Sequence, residues 1–117
     1  MSLKEWSISP SVTTVDAGSV TFNVKNTGPS YGHEFVILKT DIAPAALPKK
    51  TDGSIDEEGE GMTSPGEVED LPVGGRNSAT IDLAPGRYLF VCNLVDHQGS
   101  TALLHFASGM STPFTVK

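Results

Sequence analysis

An all-β sandwich is the fold that this 117-residue chain predicts, and three observations carry it. Apolar residues alternate with polar ones over several short stretches, which is the period of a half-buried strand. Clusters of Gly, Pro, Asn and Asp separate those stretches and favour turns. No long segment carries the three-and-four spacing of an amphipathic helix. About seven to eight strands around one core follow from this pattern, in a single domain spanning residues 1–117.

Leu3 to Ile8 alternates weakly, with Trp6 and Ile8 on one face, and predicts a first strand at a sheet edge that Pro10 ends. Ser11 to Val15 is rich in Ser, Thr and Val and reads as a second strand, closed by the turn Asp16-Ala17-Gly18. From Val20 to Asn26 the alternation is clean, with Val20, Phe22 and Val24 on one side and Thr21, Asn23 and Lys25 on the other. Asn26 to Gly32 breaks the run and delivers His33 at the mouth of a strand. That strand places Phe35 and Ile37 on one side and Val36 and Leu38 on the other.

Residues 40 to 77 differ in character, with Pro44, Pro48, Pro65 and Pro72 and a dense run of acids between Asp52 and Asp70. Strands tolerate few of these residues, so the segment predicts a long, solvated acidic excursion. One helical turn is expected near Pro44 to Leu47, with Asp41 as its cap. Ser78 to Leu83 returns to alternation, and Ala84-Pro85-Gly86 suits a type II turn. Tyr88 to Cys92 is apolar on both faces and reads as a central strand. Phe114 and Val116 face inward in the last strand.

The chain carries 8 Lys and Arg against 14 Asp and Glu, a formal charge of −6. Nucleic acid and anionic membrane surfaces both need a basic face, so neither is an expected partner. A protein partner with a basic docking face fits better. No run approaches the roughly 18 apolar residues of a membrane span. The start, Met1 to Trp6, has no hydrophobic signal region, which leaves either a removed leader or a cytoplasmic protein. Cys92 is the only cysteine, so no disulfide forms within the chain, and binding to a metal would protect the thiol from oxidation.

The segment Val91 to Met110 concentrates the chemistry. It holds Cys92, two of the three histidines (His97 and His105) and Met110, while His33 lies elsewhere. A trigonal His2Cys set with a distant, weak Met is what a blue-copper centre requires, because sulfur donors favour Cu(I) and imidazole serves both oxidation states. Each residue has a plainer reading: a free cysteine is commonly a small buried hydrophobe, and a methionine fills gaps. Their joint placement outweighs those readings. Cys92 ends a central strand, Met110 opens the last one and His33 begins a third, so a sandwich gathers all three at one end.

The entry His33-Glu34-Phe35, the run Tyr88-Leu89-Phe90-Val91-Cys92-Asn93 and the ending His105-Phe106-Ala107-Ser108-Gly109-Met110 together resemble the cupredoxins, the small blue copper proteins. The resemblance covers nearly the whole chain and is similar in kind to plastocyanin and sulfocyanin. It implies a Greek-key β-sandwich holding one type 1 copper ion, with His33, Cys92, His105 and Met110 as ligands. Cys92 to His97 has the Cys-x4-His spacing of many ligand loops, and His105 to Met110 has the His-x4-Met spacing of their ends. His97 is therefore an alternative to His105. Lengthening the loop from four intervening residues to twelve costs only about 1 kcal/mol of closure entropy, and the tight turn between His105 and Met110 is harder to change. That favours His105 and makes His97 an exposed loop residue.

By the same resemblance an asparagine, Asn26 or Asn93, ties the ligand loops together, and His105 presents one ring edge through a patch of Leu103, Leu104, Phe106 and Ala107. The protein would be a monomeric one-electron carrier, not an enzyme, working in the periplasm or another extracytoplasmic space after loss of a leader, with redox proteins as partners. Alternatives are copper handling without electron transfer and a metal-free β-sandwich interaction module. A cysteine hydrolase using Cys92 with His97 or His105 and Asp96 is disfavoured, because a cysteine at an apolar strand end is poorly placed for activation.

Overall fold

The computed structural model describes residues 1–98 and 101–117, with Asp70, His97, Gln98 and Thr101 described through their backbone alone. In chain order the strands are β1 (Ser2–Lys4), β2 (Ser7–Ser9), β3 (Thr14–Val15), β4 (Gly18–Gly28), β5 (His33–Thr40) and β6 (Met62–Leu71). They continue with β7 (Arg76–Leu83), β8 (Gly86–Val91), β9 (Val95–Gln98), β10 (Thr101–Leu104) and β11 (Ser111–Val116). One sheet has the order β2-β1-β4-β7 and the other β3-β11-β8-β5-β6, while β9 and β10 form a separate hairpin. The chain changes sheet on entering and leaving β3, between β4 and β5, between β6 and β7 and between β7 and β8, then sets β8 beside β5. These are the crossings of a Greek-key sandwich.

Alternation in sequence becomes alternation in burial. Along β4 the inward residues Phe22, Val24 and Asn26 are buried and their neighbours exposed. Phe22 and Val24 meet Phe35, Ile37, Tyr88, Phe90, Phe114 and Val116 of the other sheet in the main core. Phe90 stacks on Phe114 with centroids 4.5 Å apart and stands edge-on to Phe35 at 4.8 Å and to Phe22 at 5.6 Å. The two sheets are thus joined through one ring cluster. The Tyr88 hydroxyl donates to the Ala84 carbonyl at 2.7 Å and fastens the turn between β7 and β8.

The opposite faces of β5 and β8 are covered too. Val36, Leu38, Leu89 and Val91 pack with Leu47, Ile55 and Met62 in a second apolar cluster. That explains why both strands are apolar on both sides, as a fully covered strand must be.

The architecture has the predicted class, and its details before β7 differ in three places. Leu3 to Ile8 is a tight hairpin rather than one edge strand, since Leu3 pairs with Ile8 across the turn at Glu5 and Trp6. Residues 62–71 form β6, so the acidic excursion shrinks to residues 41–61. Pro65 and Gly66 are tolerated because β6 is an edge strand, and the register with β5 shifts between Ile37 and Lys39. A side chain at Gly66 would meet Ile81 Cδ1 at 2.5 Å, so the glycine serves the close approach of β6 to β7. The excursion itself is not merely solvated, because Leu47 and Ile55 anchor it. Its helical turn at Pro44–Ala46 is capped by Ala43 with no side-chain bond, not by Asp41.

Because Ile55 is fully buried, Ile55→Ala should cost about 2–5 kcal/mol in urea unfolding. A cost under about 0.5 kcal/mol, typical of an uninvolved surface position, would mean that the excursion is not packed.

Candidate metal centre

Strand pairing brings the candidate donors together. Val36 of β5 faces Val91 of β8, so His33 and Cys92 lie just past that pair at the same end of the sheet. On the other side Ser111 of β11 faces Val91. Met110 then stands beside Cys92, and the Cys92 N–H donates to the Met110 carbonyl at 3.2 Å. The Met110 N–H donates to the His105 carbonyl at 3.2 Å, and the His105 N–H to the Leu94 carbonyl at 3.0 Å. Residues far apart in sequence therefore share one backbone ladder.

The side chains form a closed triangle. His33 Nδ1 and His105 Nδ1 are 3.1 Å apart, and Cys92 Sγ lies 3.8 Å from the first and 3.4 Å from the second. A point equidistant from the three is about 2 Å from each, the reach of a metal–imidazole bond. Three donors this close, all fully buried, have little to gain from one another. Two imidazole nitrogens facing across 3.1 Å cannot both carry protons. The triangle fits a metal ion, and its composition fits the His2Cys set of a type 1 copper site. Met110, also fully buried, is tied by its backbone to both Cys92 and His105.

Around the triangle a layer of hydrogen bonds fixes each donor. The Glu34 N–H points to Cys92 Sγ at 3.4 Å, and Glu34 Oε1 accepts the Asn93 N–H at 3.2 Å. Asn93 in turn clasps both backbone groups of Ile55 and reaches Glu57 Oε2 at 2.9 Å. Asn26, buried, donates to the carbonyls of Tyr31 and Leu71 and accepts from the Gly28 N–H. It thus ties the loop before His33 to the end of β6. Neither asparagine bridges the His33 loop to the Cys92 loop by its side chain. Glu34 makes that link.

Two carboxylates stand at the outer nitrogens: Glu5, which the sequence did not single out, and Asp96, which it offered only as part of the disfavoured hydrolase set. Glu5 Oε2 lies 3.4 Å from His33 Nε2, longer than an ordinary hydrogen bond, and neither atom has a nearer polar partner among the described residues. Glu5 Oε1 also accepts the N–H groups of Ser30 and Tyr31. Burial alone would raise the Glu5 pKa; those N–H groups and His33 outweigh it and hold the carboxyl below its ordinary value. Burial pushes the His33 imidazole below its ordinary value, against the pull of Glu5 and with help from His105. His105 Nε2 is hydrogen-bonded to Asp96 Oδ2. Trp6 and Tyr31 stand edge-on to the His105 ring, with centroids 5.0 and 5.7 Å away.

The twelve residues expected as a stretched loop between Cys92 and His105 contain the β9–β10 hairpin, paired from Val95 with Leu104 to Gln98 with Thr101. Its base closes at Leu94 and His105, so the added chain returns where it left and does not disturb the triangle. The expected exposed edge of His105 is absent: the ring is fully buried and its outer nitrogen faces Asp96. The hairpin carries Asp96 to that position. His97 sits in β9 opposite Ala102, and its side chain lies outside the described residues.

Neither a protein-family profile nor a curated protein matches the sequence. Among solved structures, the chain overlays sodium-dithionite-reduced auracyanin from the photosynthetic bacterium Roseiflexus castenholzii with a TM-score of 0.64 and 24% identity, covering 97% of this chain and 90% of that one. Reduced rusticyanin overlays with a TM-score of 0.61 and 25% identity over 89% of this chain. This chain spans 61% of that protein's length. Auracyanin B gives 0.59 and 19% identity, with 99% and 88% covered. The fold is that of the cupredoxins, and His33, Cys92 and His105 are positioned in it to bind a metal.

Asn26→Ala would strand the buried Leu71 carbonyl and Gly28 N–H and remove a bond to the Tyr31 carbonyl. Each such group costs about 1–3 kcal/mol, so denaturant unfolding should show a loss above about 2 kcal/mol. A loss no larger than one exposed hydrogen bond would contradict the tie.

Proposed function

We propose that this protein is a one-electron carrier whose mononuclear type 1 copper would be held by His33, Cys92 and His105, with Met110 as a fourth, weaker ligand. The observation that carries this reading is the buried triangle of two imidazole nitrogens and one sulfur, sized for an ion. Copper there would supply a Cu(II)/Cu(I) couple, and a soft, thiolate-containing set selects it over harder ions. Rusticyanin, one of the proteins it overlays, is a copper protein.

The chain's own residues account for the rest. Cys92 would bind as thiolate, with the Glu34 N–H supporting its charge. The strand pairings and Asn26, Asn93 and Glu34 hold the donors in one arrangement, so a change of one electron need not move them. Complete burial of Cys92 leaves no room for a substrate at the sulfur, which favours a carrier over an enzyme.

Partners would be redox proteins with a basic docking face. Asp56, Glu57, Glu58 and Glu67, with Lys50 and Ser64, line a polar groove on the excursion side whose acids outnumber its one cation. Burial, with Glu57 and Glu69 nearby, raises the Glu67 pKa. Asn93 joins this acidic surface to the residue after Cys92, which would bring a basic partner close to the sulfur ligand. We place the protein in an extracytoplasmic space, where a bound metal shields its one thiol, and as a monomer. No helix among the described residues is long and apolar enough to cross a membrane.

Titrating the apo protein with Cu(II) should raise an intense thiolate-to-copper band that saturates at one equivalent and bleaches reversibly with ascorbate. His105→Ala should abolish the band and His97→Ala should keep it; the reverse pattern would transfer the ligand role to His97. A folded protein with a free thiol and no band would overturn the reading.

A further inference from the structure

Both candidate ligand imidazoles carry a carboxylate on the nitrogen that faces away from the triangle. Asp96 Oδ2 is bonded to His105 Nε2, and Glu5 Oε2 stands 3.4 Å from His33 Nε2. The two acids come from unrelated places, the β9–β10 hairpin and the turn between β1 and β2. A carboxylate on a neutral imidazole requires the proton on that outer nitrogen, which leaves the inner nitrogen as a lone pair aimed at the metal position. For His105 the inner atom is Nδ1, the one within 3.4 Å of Cys92 Sγ. The tautomer needed for binding is therefore selected by the fold.

The same carboxylates bring charge. His33 and His105 are fully buried, and side-chain exposure is 9% for Glu5 and 40% for Asp96. With the Cys92 thiolate, three negative groups would surround one position in a medium far less screening than water. Extra negative charge stabilises the doubly charged ion more than the singly charged one.

We propose that Asp96 is a positioning residue that biases this centre toward its oxidised state, fixing His105 as the Nε2–H tautomer and setting a negative charge behind it, with Glu5 acting in the same sense on His33. This rests on the copper reading above. The hairpin then has a function: it delivers Asp96 to a ligand without altering the ligand's place in the backbone ladder.

Asn offers an acceptor of nearly the same shape as Asp without the charge, so Asp96→Asn separates charge from mere fixation of the hairpin. The measurements are the midpoint potential of the copper-loaded protein and its Cu(II) and Cu(I) affinities by chelator competition, for wild type, Asp96→Asn and Asp96→Glu. We expect Asp96→Asn to keep the visible band, to lose Cu(II) affinity by about tenfold or more with a smaller change for Cu(I), and so to show a higher potential. Asp96→Glu should restore much of the wild-type value. An unchanged affinity ratio and potential in a folded Asp96→Asn protein that retains its band would overturn the proposal and leave the copper reading intact. Absence of the band in wild type would defeat the copper reading itself. Independently of any variant, proton NMR of the wild-type Cu(I) protein should show a downfield, slowly exchanging His105 Nε2–H. A His105 ring with no protected proton there would also overturn the proposal.

Discussion

The pairing of β8 with β5 on one side and β11 on the other is the constraint on which the centre depends. Val91 is paired in both directions, with Val36 and with Ser111, so the next residue, Cys92, is fixed relative to His33 and Met110 at once. A slip of β8 by one residue would turn Cys92 from the main core toward the outer cluster, because successive residues of a strand point to opposite faces. Burial on both faces penalises such a slip. Phe90 locks one side among Phe22, Phe35 and Phe114, while Leu89 and Val91 lock the other against Leu47 and Ile55. The register that fixes the donors is thus enforced by two apolar cores.

Preorganisation follows from this arrangement. Two imidazoles and a thiol held within 3.8 Å of one another are a costly cluster for a protein to bury without a purpose. Packing and backbone bonds offset the cost, and a bound ion would relieve it. The surrounding bonds from Glu34, Asn93, Asn26 and Asp96, with the Glu5 carboxylate near the outer nitrogen of His33, restrain the donors, which suits a centre that must accept and release an electron without rearranging.

Much of this was legible in the sequence, and what was not has identifiable causes. The alternation of Val20 to Lys25 and the two-sided apolarity of Phe35 to Leu38 and Tyr88 to Cys92 reported their burial directly, because a strand's period of two maps residue onto face. His33, Cys92 and His105 were picked out as soft donors beside strand ends. β6 was hidden because Pro65, Gly66 and its acids are poor strand formers in general, and only its edge position and its approach to Ile81 make them acceptable. The β9–β10 hairpin was hidden because its strands are short and carry little alternation. Glu5 left no signal, and Asp96 stood out only as a third member of the disfavoured cysteine-hydrolase set, since acids in short turns and hairpins ordinarily face water. Only the tertiary contact of each with a histidine sets them apart.

X-ray absorption at the copper edge, recorded on the loaded protein in both oxidation states, reads the identity of the donors directly. One sulfur and two imidazole nitrogens should surround the copper, with metal–nitrogen distances of about 2 Å, and nearly the same set should remain after reduction. A donor set without sulfur, or one whose nitrogen count changes on reduction, would contradict a copper centre built on the His33–Cys92–His105 triangle.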